Sequence, residues 1–203
     1  MTQAYANIVA QRGGNIETID TSTRANIQAV SRWLTDIKCK PSLLMRGGVG
    51  NGKTTTTKSI AATFEALRLL GNTKLRNDRW QMNAQEEAIY TNLSRLPVLS
   101  ITTAIDIANA ARDPEKFANL KSTQVLIIDD LGTEPATAKV YGVELTPLTE
   151  VINHRYERMA TTIITTNLND DAIGKRYGER TIDRIREMYE KLTFTGASYR
   201  TKR

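Results

Sequence analysis

The run Gly47-Gly48-Val49-Gly50-Asn51-Gly52-Lys53-Thr54 matches the pattern G-x-x-x-x-G-K-[ST] in full. Glycines let such a loop curl tightly, so successive backbone N–H groups point inward at a phosphate chain. A helix starting near Lys53 adds the positive end of its dipole to the same anion. In that arrangement Lys53 reaches the β- and γ-phosphates and the Thr54 hydroxyl holds Mg²⁺, with Thr55 next in the binding segment. An ordinary glycine-rich turn is the plain alternative. The motif, however, needs a strand before it and an amphipathic helix after it, and the flanking residues read that way. The pattern points to nucleotide binding.

A second group is Leu126-Ile127-Ile128-Asp129-Asp130-Leu131-Gly132. Two carboxylates at the end of a buried apolar strand serve no packing purpose. In an open α/β sheet they emerge where ligands gather, at the C-terminal ends of the strands. Asp129 could enter the Mg²⁺ coordination sphere, and Asp130 could orient or deprotonate the water that attacks a γ-phosphate. A helix-capping pair is the plainer reading. Adjacent acids favour hydrolysis over transfer to a small-molecule acceptor. The third group, Ile163-Ile164-Thr165-Thr166-Asn167, is another buried strand that ends in polar side chains. The Asn167 amide could hold the water or contact the γ-phosphate, or simply cap the next helix.

The elements that must carry these residues alternate. Asp20-Thr21-Ser22-Thr23 caps a helix with Ile27, Val30, Leu34 and Ile37 on one face, ended by Pro41. Ser42–Met45 reads as a buried strand. The helix from Lys53 carries Ile60, Phe64 and Leu67, with Gly71 as its stop signal. Residues 72–96 are polar and irregular, with a short helix around Ala84–Leu93. Val98–Ile101, Val125–Ile128 and Thr162–Thr165 read as strands, separated by helical stretches at Thr103–Ala111 and Leu145–Met159. The first residues form a short helix and an extended arm. Strands alternating with helices mean α/β with a mainly parallel sheet.

The chain has 203 residues and a mass of 22.7 kDa, enough for one domain with a real core; 40% of it is hydrophobic and 25% charged. It has no run long enough for a membrane helix and no apolar leader segment. The single Cys39 excludes an internal disulfide, and the single His154 leaves no Cys/His zinc set. Cys39 reads as a bystander thiol and His154 as a partly exposed helix residue. These features predict a cytoplasmic protein. The net charge is +6, and residues 175–203 carry nine basic against four acidic side chains, so the rest of the chain is close to neutral. That segment suits phosphate ligands or is a solvated helix face. Lys74, Arg76, Arg79 and Trp80 form a basic and aromatic group that either stacks on single-stranded bases or is a loop anchored by a buried Trp80, the latter being the expectation.

With these motifs in this order, the sequence resembles the AAA+ ATPases. More narrowly, LIIDDLG, NHRYE, TTIITTNLN, GERTIDRIR and the terminal GASYR resemble the DnaC/DnaI-like helicase loaders and the related IstB-like transposition helpers, over about residues 20 to 203. The resemblance implies a three-layer P-loop NTPase (AAA+/ASCE) core with a mainly parallel sheet and no separate helical lid domain. Residues 1–20 would be a short N-terminal arm and 21–203 the ATPase domain. ATP and Mg²⁺ would be bound and ATP hydrolysed. By the same resemblance Asn167 matches the sensor 1 position, Arg184 the arginine finger that reaches a neighbouring subunit's ATP, and Arg200 the sensor 2 arginine. Arg180 and Arg186 remain rivals for the finger.

The partners so implied are a replicative helicase, single-stranded DNA and further copies of the chain. A transposase in place of the helicase is the alternative. A P-loop small-molecule kinase and a non-hydrolysing nucleotide-gated adaptor stand as further alternatives, the latter because Asp130 occupies a position more often held by Glu. Two departures from the loaders are an N-terminal segment too short for their helicase-binding domain and a longer 72–96 link.

Overall fold

A computed structural model describes residues 1–11, 13, 20–135, 137–140 and 143–195. Five strands form one parallel sheet: β1 (Ser42–Gly47), β2 (Leu99–Thr103), β3 (Val125–Leu131), β6 (Thr162–Thr166) and β7 (Tyr189–Phe194), in the order β2-β3-β6-β1-β7. Between β3 and β6 lie two further short strands, β4 (Ala138–Val140) and β5 (Val143–Leu145), paired antiparallel. The sequence pattern did not predict this hairpin.

Alternate residues of each strand feed opposite faces, and both faces are covered. Leu43, Met45, Ile127 and Ile163 pack with Val30 of α2 (Thr21–Thr35) and Ile60 of α3 (Lys53–Asn77). Leu44, Leu126, Ile128 and Ile164 pack on the other side. There they meet α5 (Ala104–Ala110), α6 (Pro114–Ser122), α7 (Pro147–Glu157), α8 (Asp170–Tyr177) and α9 (Glu179–Met188). The result is the expected three-layer α/β core, and among the described residues no separate helical lid follows β6. The N-terminal helix α1 (Thr2–Gln11) packs on α3 and buries Tyr5. No described helix is long and apolar enough to cross a membrane.

Local chemistry sets several boundaries apart from the sequence reading. Asp20 caps α2 as expected, accepting from the Thr23 N–H at 2.7 Å. The helix nevertheless stops at Thr35, because Asp36 turns its carboxylate onto the Lys38 N–H at 2.9 Å and offers the backbone a turn instead. Ile37 therefore leaves the apolar stripe and is 99% exposed. Helix α3 does not stop at Gly71. It continues to Asn77, and Gly71 is where α4 (Ala84–Ser94) crosses it: a Cβ there would lie 2.5 Å from Ser94 N and 2.7 Å from Tyr90 O. The α4 start carries a capping box, Asn83 and Glu86 each bonding the other's backbone N–H. Between the two helices Trp80 sits on a single 3₁₀ turn, Arg79–Gln81, and is 80% exposed. The expectation of a buried tryptophan anchor is overturned. Neither the turn nor the α4 helix that follows it buries a residue, so no core receives the ring there.

Candidate nucleotide site

The loop Gly47–Gly52 joins β1 to α3 at the C-terminal edge of the sheet. Gly47 has φ +150°, and a Cβ on it would sit 2.2 Å from the Phe194 carbonyl oxygen, so only glycine lets the loop lie this close to β7. Asn51 is buried and its side-chain amide donates to the same Phe194 oxygen at 2.8 Å. Gly48, Val49 and Gly50 form the outer curve, with Val49 exposed. Gly52 precedes α3 in a left-handed conformation and provides no side-chain cap, so the start of α3 presents its backbone N–H groups and the positive end of its dipole toward the loop. Thr55 is buried in that first turn.

Lys53 is buried, and its Nζ lies within hydrogen-bond distance of four oxygens: Gly47 O at 2.7 Å, Gly48 O at 2.8 Å, Asn51 Oδ1 at 3.1 Å and Asn167 Oδ1 at 3.0 Å. The ammonium thus joins the end of β1 to the end of β6, two neighbouring strands. Burial pulls its pKa below the ordinary lysine value, while the Asp130 and Asp129 charges oppose that shift.

The acids at the end of β3 face this lysine. Thr54 donates its hydroxyl to Asp129 Oδ1 at 3.2 Å, and Thr165 donates to the same oxygen at 2.6 Å. Asp130 adopts φ +57°, a region that costs a residue with a Cβ about 1 kcal/mol or more. Its N–H is held by Thr165 Oγ1 at 2.8 Å and its carbonyl by Thr133 Oγ1 at 2.8 Å. The left-handed turn re-aims the second carboxylate away from the strand direction. Among the described residues no group of three or more His, Cys, Asp or Glu side chains could cage a metal ion. The Thr54 hydroxyl and Asp129 carboxylate instead form an oxygen pair beside the glycine-rich loop. That suits Mg²⁺, which takes one or two carboxylates and completes its shell with phosphates and water.

The expected residues are not all gathered here. Asn167, at the exposed end of β6, reaches Lys53. Arg184 on α9 does not approach the loop: it pairs with Glu157 at 3.0 Å and lies 4.8 Å over the Tyr156 ring. Of its rivals, Arg186 pairs with Asp183 at 2.7 Å, and Arg180 is exposed with no partner among the described residues. Arg200 lies outside the described residues.

Six residues to which the sequence assigned no role hold the site in shape: Thr165, Arg46, Asp170, Lys191, Glu134 and Arg155. Thr165 is described above. Arg46 donates to Asp170 Oδ1 at 3.0 Å and Lys191 to Oδ2 at 2.5 Å, tying β1 and β7 to the first turn of α8. The Lys191 hydrogen bond, with the Lys191 and Arg46 charges, holds the Asp170 carboxyl below the usual carboxylate range against a smaller desolvation effect. Glu134 is buried just after β3; it accepts from Gly132 N at 2.9 Å and from the Tyr177 hydroxyl, and Arg176 bonds its carboxylate and its carbonyl. Arg155 is wholly buried with no carboxylate partner among the described residues, donating to Thr162 Oγ1 and to the carbonyls of Leu120, Lys121, Thr123 and Thr161. The one signal available was the identity of these residues as charged or hydroxylic at positions flanked by apolar runs.

No protein-family profile matches the chain, and no curated protein matches it. Solved structures do. A DnaC helicase loader is 20% identical with a TM-score of 0.56, covering 87% of this chain and 92% of that one. A putative primosome component from Streptococcus pyogenes serotype M3 is 14% identical with a TM-score of 0.58, covering 96% and 97%. AMPPCP-bound DnaA from Aquifex aeolicus is 16% identical with a TM-score of 0.55, covering 91% of this chain and 50% of that one. The chain shares its three-layer α/β fold with these structures.

Proposed function

We propose that the protein binds ATP with Mg²⁺, hydrolyses it, and acts in DNA replication as a helicase loader that engages single-stranded DNA. The observation that carries the reading is the meeting of Lys53 with Asn167, within one cluster that also holds Thr54 and Asp129. Nothing in packing requires a buried ammonium, an amide, a hydroxyl and a carboxylate to converge at the end of a sheet.

The residues take these parts. The loop from Gly47 to Gly52 and the first-turn N–H groups of α3 bind the phosphate chain. Lys53 leaves some of its loop carbonyls for the β- and γ-phosphates. Thr54 and Asp129 would hold Mg²⁺, which when bound neutralises phosphate charge. Asp130 orients or deprotonates the attacking water, and Asn167 fixes its position. By resemblance Arg184 acts on the ATP of a neighbouring copy, and Arg200 on its own.

Exposed Trp80, with the exposed Arg76 four residues before it in the chain, supports stacking on unpaired bases. The DnaC protein of similar fold is a helicase loader, and that supports a replicative helicase as partner.

The test is ATP hydrolysis by wild type and Lys53→Ala, with and without single-stranded DNA at low salt, where phosphate contacts are least screened. Hydrolysis that requires Lys53 and responds to DNA is expected. ATP turnover that survives Lys53→Ala refutes the site. A pulldown then identifies the partner: retention of a transposase instead of a replicative helicase refutes the loader role.

A further inference from the structure

We propose that Thr165 is the positioning residue of this site, setting the Asp129 carboxylate and the Asp130 backbone with one hydroxyl. This rests on the nucleotide-binding reading above. Thr165 lies on β6, wholly buried, two residues before Asn167. Its strand position is filled by shape alone just as well by valine, so the hydroxyl calls for a separate reason.

The direction of both bonds is fixed. The Asp130 N–H can only donate, so Thr165 Oγ1 accepts there at 2.8 Å. The single hydroxyl proton is then free for one acceptor, and Asp129 Oδ1 lies 2.6 Å away. Thr54 donates to that same Oδ1 over a longer 3.2 Å. Two hydroxyls from two different elements therefore converge on one carboxylate oxygen and stop the carboxylate from rotating. The same Thr165 oxygen accepts from the backbone N–H of Asp130, whose φ is +57°. Without it, the Asp129 carboxylate is left with the longer Thr54 bond, and the strained Asp130 backbone loses one of the bonds that hold it.

Residues that orient a metal-binding carboxylate typically change metal affinity by about 10- to 100-fold when removed. The consequence belongs to the Mg²⁺-dependent part of binding. Phosphate contacts from Lys53 and the loop N–H groups do not run through Thr165.

The experiment measures affinity for a fluorescent ATP analogue with and without Mg²⁺, in wild type, Thr165→Val and Thr165→Ser, alongside hydrolysis. Thr165→Val is expected to keep the Mg²⁺-free affinity and to lose about 10-fold or more of the gain that Mg²⁺ confers, with kcat falling as well. Thr165→Ser, which keeps the hydroxyl, is expected to restore both. Should Thr165→Val fold poorly, Thr165→Ala reads the same Mg²⁺ gain without the second methyl. Adding Thr165→Val to Asp129→Asn is expected to reduce the gain no further, since the first acts through the second. A wild-type gain from Mg²⁺ that persists in Thr165→Val overturns the assignment of Thr165 alone. Wild type that binds no nucleotide overturns the underlying reading, and this assignment with it.

Discussion

Replacing Arg155 by methionine tests whether the site depends on an anchor at the far end of its strands. The guanidinium is fully buried and makes three short bonds, to Thr123 O at 2.6 Å, Thr161 O at 2.7 Å and Thr162 Oγ1 at 2.8 Å. Two longer ones go to Lys121 O at 3.2 Å and Leu120 O at 3.4 Å. Burial lowers its pKa from the ordinary arginine value, yet the group stays charged. Methionine matches the stem and removes the charge, so the gain from no longer burying a cation offsets part of the loss. Taking about 1 kcal/mol net for each short bond, and little for the long ones, Arg155→Met should cost about 3 kcal/mol. Arg155→Lys should cost at least as much, because the charge stays buried with fewer, non-planar donors. Urea unfolding measures this, with the midpoint falling at unchanged m-value. A loss below about 1 kcal/mol for methionine would place Arg155 among ordinary surface positions and refute the reasoning. The folded variant should also lose part of the Mg²⁺-dependent gain in nucleotide affinity, because these bonds hold the strand register that brings Thr165 to Asp129.

Gly71→Ala sets a helix-propensity gain of about 1 kcal/mol against an overpacking cost of 1–3 kcal/mol, roughly. Backbone atoms of α4 at 2.5 and 2.7 Å cannot rotate away, so net destabilisation and faster proteolysis within residues 84–94 are expected, and a raised melting temperature would contradict them. The depressed Lys53 pKa predicts that ATP affinity declines with rising pH at a midpoint below 10.5, as the ammonium loses its proton. A midpoint at or above that value, measured by equilibrium binding, would remove the desolvation argument; the same shift makes stability rise with pH through that window. Arg184 is held by an ion pair to the mostly exposed Glu157 and a ring contact, together worth about 1–2 kcal/mol, so release toward a neighbouring copy is affordable. Mixing Arg184→Ala with Lys53→Ala subunits should therefore restore part of the hydrolysis through mixed sites; a mixture that follows the average of the two at every ratio excludes a shared site.

The parallel sheet was legible because β1, β3 and β6 are short apolar runs covered on both faces, and only their ends break the pattern. The phosphate loop was legible for a different reason, its fixed glycine spacing. What the pattern misplaced lies where a local hydrogen bond or a tertiary contact outweighs periodicity. Ile37 continues the α2 stripe in sequence, yet the Asp36 side chain ends the helix first. Gly71 looks like a terminator, and is instead the one residue small enough for α4 to cross. Trp80 reads as an anchor by composition, and is exposed because the α3–α4 turn has no core beneath it. Thr165 and Arg155 could not be ranked from sequence at all. Their roles depend on partners distant in sequence, Asp129 at 36 residues from Thr165 and Thr123 at 32 residues from Arg155.

The two ends of the strands carry opposite physical demands. At the C-terminal ends β3 finishes in a left-handed aspartate, and the loop after β1 is built from glycines. Polar groups there are positioned at an energetic cost rather than packed. Such an arrangement persists only where its surroundings over-determine it. Thr165 and Glu134 supply that restraint locally, the first through both acids and the second by fixing the turn after β3 to α8. Arg155 supplies it from the other end, joining the entrances of β3 and β6 through Thr123, Thr161 and Thr162. Because β3 and β6 are adjacent and parallel, fixing their entrances fixes their relative register, Ile127 opposite Ile163 and Ile128 opposite Ile164. That register decides whether Thr165 meets Asp129. Sliding either strand by one residue would turn Thr165 to the opposite face and separate the pair. The buried arginine and the two aspartates are thus parts of one constraint, with the stable end of the sheet setting the geometry that the strained end uses.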